Sequence, residues 1–336
     1  MDRIVVVWDE RVEMGYYVYM KKLITLLIPA YNEAEALPAL FERLDKFTRT
    51  VKNYDFELLF VNDGSRDETL EIIKRHAEKD KRISYVNLSR NFGKEIGMIA
   101  GIDHVRGDAM VIIDADLQDP PELITEMIKY WEEGYDDVYA RRRSRDGETW
   151  FKKASSKWYY QLIQSTTNIP IQVDTGDFRL MNRRCIEAVQ QFRDSGRNAK
   201  AIFSWIGYKK KEILYDRDPR LVGETKWNYR RLVNLALDGI TSFTTAPLRL
   251  ATIIGLIVSF LSFVYIAYLV IRPLFGVETG AGYSSLMAVM LFMGGIQMLF
   301  LGIIGEYIAR IFNETKKRPL YLIEEYHAGT SQETRH

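Results

Sequence analysis

The sequence predicts an α/β domain with a mostly parallel sheet and helices on both faces, followed by a C-terminal hairpin of two transmembrane helices. Three observations carry that prediction. Short apolar runs alternate with helical patterns from Lys21 to Ala140, the order that successive βα units produce. Polar or acidic residues stand just beyond successive runs: Tyr31, Asn32 and Glu33, then Asp63, then Asp114 and Asp116. Finally, Leu250 to Ile271 is 22 residues without a charge and Thr279 to Gly305 is 27. Each is long enough to cross a hydrocarbon core of about 30 Å as a helix.

The elements follow in order. Leu23–Pro29 reads as a strand and Ala34–Lys52 as a helix; Phe56–Val61 is a strand ending in Asn62-Asp63-Gly64-Ser65, and Glu68–Lys79 is a helix. Next come the strand Ile83–Leu88, a helix over Lys94–Val105, the strand Met110–Ile113, a helix over Pro121–Glu133 and the strand Asp137–Ala140. Gly93, Gly97 and Gly101 recur every fourth residue, a smooth helical stripe suited to close packing. The first nineteen residues match no element of a domain that starts at about Met20. They are read as a loosely held extension or as lying before the native start, so their removal is expected to leave activity intact.

Charge narrows the function. Lys and Arg total 46 against 45 Asp and Glu, so nothing global suggests a nucleic-acid partner. Arg230, Arg231 and Arg249 precede the first apolar stretch, and Arg310, Lys316, Lys317 and Arg318 follow the second. Between them, Pro273 to Tyr283 has Glu278 and no Lys or Arg. The positive-inside rule then places the α/β domain and both termini in the cytoplasm. The organisation expected is an extension (1–19), a cytoplasmic domain (20–228), an interfacial amphipathic helix (229–245), spans at 246–272 and 284–309 around an extracytoplasmic loop (273–283), and a cytoplasmic tail (310–336). A second interfacial segment is read after Ala140, where Arg141, Arg142, Arg143, Arg145, Lys152, Lys153 and Lys157 interleave with Trp150, Phe151, Trp158, Tyr159 and Tyr160. That mixture suits anionic headgroups. The lone Cys185 agrees with a reducing compartment, and the four histidines match no zinc spacing and read as surface positions. Trp205-Ile206-Gly207-Tyr208 reads as packing behind the site.

The chemistry centres on Asp114-Ala115-Asp116, which ends a fully apolar strand. Two carboxylates at one strand end repel each other unless a cation sits between them. Mg²⁺ or Mn²⁺ is the natural choice and brings substrate phosphates with it. In a parallel sheet the strand ends share one edge, so the acids after neighbouring strands converge there. No G-x-G-x-x-G follows the first strand and no Walker G-x-x-x-x-G-K-[ST] occurs, which disfavours a dehydrogenase and a P-loop NTPase.

Five segments together carry a family resemblance: Pro29-Ala30-Tyr31-Asn32-Glu33, Asn62-Asp63-Gly64-Ser65, Asp114-Ala115-Asp116-Leu117-Gln118, Thr175-Gly176-Asp177-Phe178-Arg179 and Gly223-Glu224-Thr225-Lys226-Trp227. They resemble a family 2 glycosyltransferase, and within it the polyprenyl-phosphate branch: dolichol-phosphate mannose synthases and, more closely, bacterial bactoprenol glycosyltransferases of the GtrB kind. Ser89-Arg90-Asn91-Phe92-Gly93-Lys94-Glu95 and the tail around Gly305-Glu306-Tyr307 and Lys316-Lys317-Arg318-Pro319 strengthen the closer match. The resemblance covers about Met20 to Glu325.

It implies a GT-A fold and an inverting transfer from a UDP-sugar, glucose or N-acetylglucosamine, to undecaprenyl phosphate at a bacterial cell membrane. Pro29, Tyr31, Glu33 and Asp63 would hold uracil and ribose, with Lys94 near the nucleotide. Asp114 and Asp116 would bind a ribose-side hydroxyl and the metal, and Gln118 would complete the metal's surroundings. Arg220 and Lys226, from a loop with Pro219 and Gly223, would clamp the diphosphate. Asp177 occupies the position that many members use as catalytic base. Because the acceptor phosphate, with a second pKa of about 6, is already largely anionic, orienting the donor sugar is its second possible role. Arg141, Arg142, Lys153 and Ser155 are the candidates for the acceptor phosphate, since guanidinium suits bidentate phosphate contacts. A homo-oligomer, tetrameric by resemblance, a separate flippase and a downstream transferase are the further partners implied. Two other readings are disfavoured. A processive polysaccharide synthase needs Q-x-x-R-W and more spans, and a non-catalytic membrane scaffold would not need the full set of acids.

Overall fold

The structure, a computed structural model, describes residues 3–9, 14–143, 175–194, 199–216, 246–271 and 282–330. In chain order these form β1 (Arg3–Asp9), β2 (Met14–Met20), β3 (Leu23–Ala30), α1 (Leu37–Thr50), β4 (Asp55–Asn62), α2 (Thr69–Ala77), β5 (Ile83–Leu88), α3 (Lys94–Asp103) and β6 (Ala109–Ile112). A 3-10 turn, Pro121–Leu123, leads into α4 (Ile124–Glu132) and β7 (Asp137–Arg142). Then come β8 (Thr175–Asn182), α5 (Arg183–Gln190), α6 (Ala199–Trp205), β9 (Lys210–Tyr215), α7 (Ala246–Ile271), α8 (Tyr283–Thr315) and β10 (Ile323–His327).

Eight strands make one sheet in the order β10-β5-β4-β3-β6-β8-β7-β9. Strands β3, β4, β5 and β6 are parallel, β7 and β9 are parallel to each other, and β8 and β10 run against their neighbours. This is the mostly parallel α/β class that the alternation predicts. Successive strand residues face opposite ways, so the buried strands feed two cores. Ile24, Leu26 and Ile28 pack with α1, α2 and α4, while Leu27, Leu59 and Val61 pack with α3, α5 and α6.

The glycine stripe packs closely at one of its three positions. A Cβ on Gly101 would lie 2.1 Å from Leu27 Cδ1 and 2.9 Å from Val61 Cγ2, so α3 rides directly on β3 and β4 there. At Gly97 the nearest atom would be 3.8 Å away, an ordinary contact, and Gly93 belongs to the turn before the helix.

Five strands and two helices go beyond the elements expected. β1 and β2 pair with each other in a separate antiparallel sheet. Helix α5 begins at Asn182, whose side chain accepts a hydrogen bond from the Cys185 amide at 3.0 Å; that cap was a readable start signal. The tail is not a plain extension, because β10 adds to the outer edge of β5. Gly329 N donates to Ser84 Oγ at 3.0 Å, and Leu320 and Tyr321 pack on the second core.

The chain divides into two compact units, with the tail belonging to the sheet domain and α7 and α8 to the other. Among the described residues one helix, within Ser285–Thr315, is long and apolar enough to cross a membrane. Helix α7 is 26 residues long and has no charged residue after Arg249.

Candidate active site

The turns after β3 and β4 are tied to each other. Asn32, at φ 54°, donates its backbone N–H to Ser65 Oγ at 3.0 Å and accepts from the Arg66 amide at 2.8 Å. Asparagine tolerates this left-handed backbone better than most residues. Glu33 N donates to Thr69 Oγ1 at 2.9 Å, and Tyr31 is left exposed at the rim.

Asp63 links the second turn to the start of α3. Its carboxylate accepts from Phe92 N at 2.7 Å, Gly93 N at 2.9 Å and Asn91 Nδ2 at 3.0 Å, and the residue is 3% exposed. Burial pushes its pKa up, with the Phe92 and Gly93 amides pulling the other way. Gly64 makes the approach possible. It sits at φ +63°, and a Cβ there would lie 2.3 Å from the Arg90 carbonyl carbon. Gly93, at φ +98°, then turns the chain into α3, whose first residue is Lys94.

Lys94 reaches across the edge of the sheet. Its Nζ lies 2.7 Å from Asp114 Oδ1 and 2.9 Å from Asp177 Oδ2. Desolvation works against the ammonium, but the two carboxylates outweigh it and hold its pKa above the ordinary lysine value. Asp177 arrives by topology. Strand β8 is antiparallel, so its first residues lie at the edge where its parallel neighbours end, and the Ile112↔Arg179 register continued two residues sets Asp114 beside Asp177.

Asp116 Oδ1 accepts from Gln118 N at 3.2 Å, in a loop where Leu117 takes φ +60°. Asp114, Asp116 and Gln118 offer the hard oxygen donors that Mg²⁺ and Mn²⁺ prefer. Among the described residues no group of three or more His, Cys, Asp or Glu is arranged for an ion. By their chemistry alone, two carboxylates and an amide oxygen match a cation that takes few protein ligands and completes its shell from phosphates and water.

The three arginines at the end of β7 all engage β9 and the residue after it. Arg141 Nη1 lies 3.3 Å from Glu212 Oε2, and Arg143 Nη1 lies 3.6 Å from Asp216 Oδ2. The Arg142 guanidinium is close enough to the Tyr215 hydroxyl to pull its pKa down, and that hydroxyl donates to Asp119 Oδ1 at 2.8 Å. Burial, with Asp119 nearby, raises the Tyr215 pKa. Asn91, Asp119 and Tyr215 were not among the expected site residues. Asp119, three residues beyond Asp116, was the legible one; Tyr215 gives no sequence signal. Arg220, Lys226, Lys153, Ser155, the interfacial helix 229–245 and the aromatic segment from Trp150 to Tyr160 lie outside the described residues.

Two minor expectations need correction. His76 and His104 are half-buried rather than on the surface, each with a ring nitrogen hydrogen-bonded to a carbonyl one turn back, at 2.9 and 2.7 Å. Trp205 is 60% exposed with its ring edge-on to Phe192, while Ile206 and Tyr208 do pack on the second core.

Comparison with known proteins bears on both units. Residues 25–190 match the model of glycosyl transferase family 2, and residues 246–311 match that of the GtrB C-terminal hairpin. An uncharacterized glycosyltransferase of Synechocystis sp. is 48% identical over 303 residues, 90% of this chain and 95% of that one. A prophage bactoprenol glucosyl transferase homolog of Escherichia coli is 42% identical over 90% of this chain and 98% of that one. The SfII prophage-derived bactoprenol glucosyl transferase of Shigella flexneri is 41% identical over 91% and 99%. With acids gathered on the carboxyl edge of a mostly parallel sheet and relatives matched over nearly their whole length, the chain belongs to glycosyl transferase family 2, is a glycosyltransferase, and carries the GtrB C-terminal hairpin.

Proposed function

We propose that the protein transfers one sugar from a UDP-sugar, glucose or N-acetylglucosamine, to undecaprenyl phosphate at the cytoplasmic face of a bacterial membrane. The observation that carries this reading is Lys94 bridging Asp114 and Asp177 in a chain that shares over 40% identity with bactoprenol glucosyl transferases across their length. Tyr31, Glu33 and the turn after β4 take the nucleotide, with Pro29 beneath them. Asp63 acts mainly by shaping the Asn91–Gly93 turn that presents Lys94. Asp114, Asp116 and Gln118 would hold Mg²⁺ or Mn²⁺, which would supply Lewis-acid stabilisation of the departing diphosphate.

The reaction is a single displacement. An acceptor phosphate oxygen bonds to the anomeric carbon as the bond to UDP breaks, UDP leaves with the electron pair, and the configuration inverts. The acceptor is already largely anionic at neutral pH. Asp177 is the candidate base and, by sharing Lys94 with Asp114, also fixes the ammonium beside the leaving group. Arg141 and Arg142 stand at the same edge of the sheet for the acceptor phosphate. The apolar faces of α7 and α8, with Phe260, Phe263 and Met298 more than 60% exposed, suit a lipid surround.

The test is to offer the purified protein several UDP-sugars with undecaprenyl phosphate and Mg²⁺ or Mn²⁺, and to identify the lipid product. A polyprenyl monophosphosugar is expected. A polymer, or a sugar transferred to water alone, counts against the reading.

A further inference from the structure

We propose that the C-terminal strand β10 is a positioning element for the donor site, acting through Glu324, Asn87 and Asn62. The strand enters the sheet from beyond α8 and pairs with β5, but its register slips between Ile323 and Glu325. Glu324 is the extra residue. Bulges of this kind re-aim a side chain and occur beside active sites. Here the Glu324 carboxylate accepts from Asn87 Nδ2 at 3.1 Å, and Asn87 Oδ1 accepts from Asn62 Nδ2 at 2.7 Å. Asn62 Oδ1 in turn accepts from the Ser65 amide at 3.4 Å, and Ser65 Oγ accepts from Asn32 N at 3.0 Å. Asn62 and Asn87 are 2% and 5% exposed and lie side by side across β4 and β5.

The direction of this chain is what matters. A carboxylate can only accept, whereas an amide can present either end. Glu324 therefore sets which way Asn87 points, Asn87 sets Asn62, and Asn62 turns its oxygen to the Ser65 amide. The end of the relay is the Asn62–Arg66 turn, tied to Asn32 and, through Gly64, packed on the turn that delivers Lys94. The inference rests on the reading that this turn holds the donor nucleotide.

The test uses the full-length protein, with UDP affinity measured by calorimetry and donor and acceptor KM by turnover. Glu324→Lys replaces the acceptor by a donor and is expected to raise the UDP Kd and donor KM about fivefold, leaving kcat and acceptor KM unchanged. Glu324→Gln, which can still offer an oxygen to Asn87, is expected to stay near wild type. Glu325→Ala loosens the same strand by removing its bonds to Lys74 and Tyr85 without touching the relay, and is expected to leave donor KM unchanged. Unaltered UDP affinity in Glu324→Lys, or an equal loss in Glu325→Ala, overturns the relay. Tyr31→Ala separates the two readings. If it weakens UDP binding while Glu324→Lys does not, only the relay fails; if it leaves UDP binding unchanged, the donor-site reading itself fails.

Discussion

At the amino end of the sheet, Glu57 is 1% exposed and collects donors from Thr25 Oγ1, Ser84 Oγ and Arg106 Nε, each at 2.7 Å. At the carboxyl end one ammonium, Lys94, is shared between Asp114 and Asp177, with Asp116 close by in sequence. Both clusters join several strands, yet they do different work. A buried carboxylate surrounded by donors is compensated internally and fastens β3, β4 and β5 to the start of β6. An edge rich in acid favours cations and hydroxyl-bearing ligands. The lesson is that burial of a carboxylate does not by itself mark a site.

The strongest way to break this comparison is Asp116→Asn. Turnover is expected to fall by about 10²–10³ in kcat, with unfolding and membrane insertion unchanged; a variant with full activity would sink the metal assignment. Arg106→Met probes the other end. It leaves the Glu57 carboxylate buried without its cation and is expected to cost about 3 kcal/mol of stability, read by chemical unfolding, with donor KM unchanged below the transition. A change in KM without loss of stability would erase the distinction between the two ends. The smallest effect lies at the outer edge of the sheet. The hydrogen bonds to Glu325 from Lys74 and Tyr85 hold its pKa below the ordinary 4.5. A lowered folded-state value contributes stability above the unfolded pKa that is lost as pH falls through the folded one. Amide exchange in β10 should therefore quicken, once corrected for intrinsic rates, as pH drops below about 4.5.

Much of this was legible in the chain. From Leu23 to Glu132 every strand and helix expected is present, with ends shifted by up to three residues, because buried parallel strands read as unbroken apolar runs and their helices as clean 3.6-residue patterns. Strand β10 was not legible. Ile323-Glu324-Glu325-Tyr326-His327 is mostly exposed, and an edge strand of that kind has no buried side to write a pattern. Asp177 could be singled out only by resemblance, since Thr175–Asn182 runs against its neighbours and the turn logic of βα units does not apply to it. The arginines at 141–143 were visible as charge, but their partners Glu212, Tyr215 and Asp216 lie some seventy residues on.

By itself the sequence determined the class of fold, the acids that follow the parallel strands and the apolar C-terminal stretches, because each is written in local periodicity. Only the tertiary structure decided how these groups are shared: that Lys94 serves two carboxylates, that Asp63 turns inward to shape the Asn91–Gly93 turn, and that the tail returns to pair with β5. Those outcomes depend on strand order, register and direction. Such pairings join residues distant in sequence, and no local pattern of side chains encodes them.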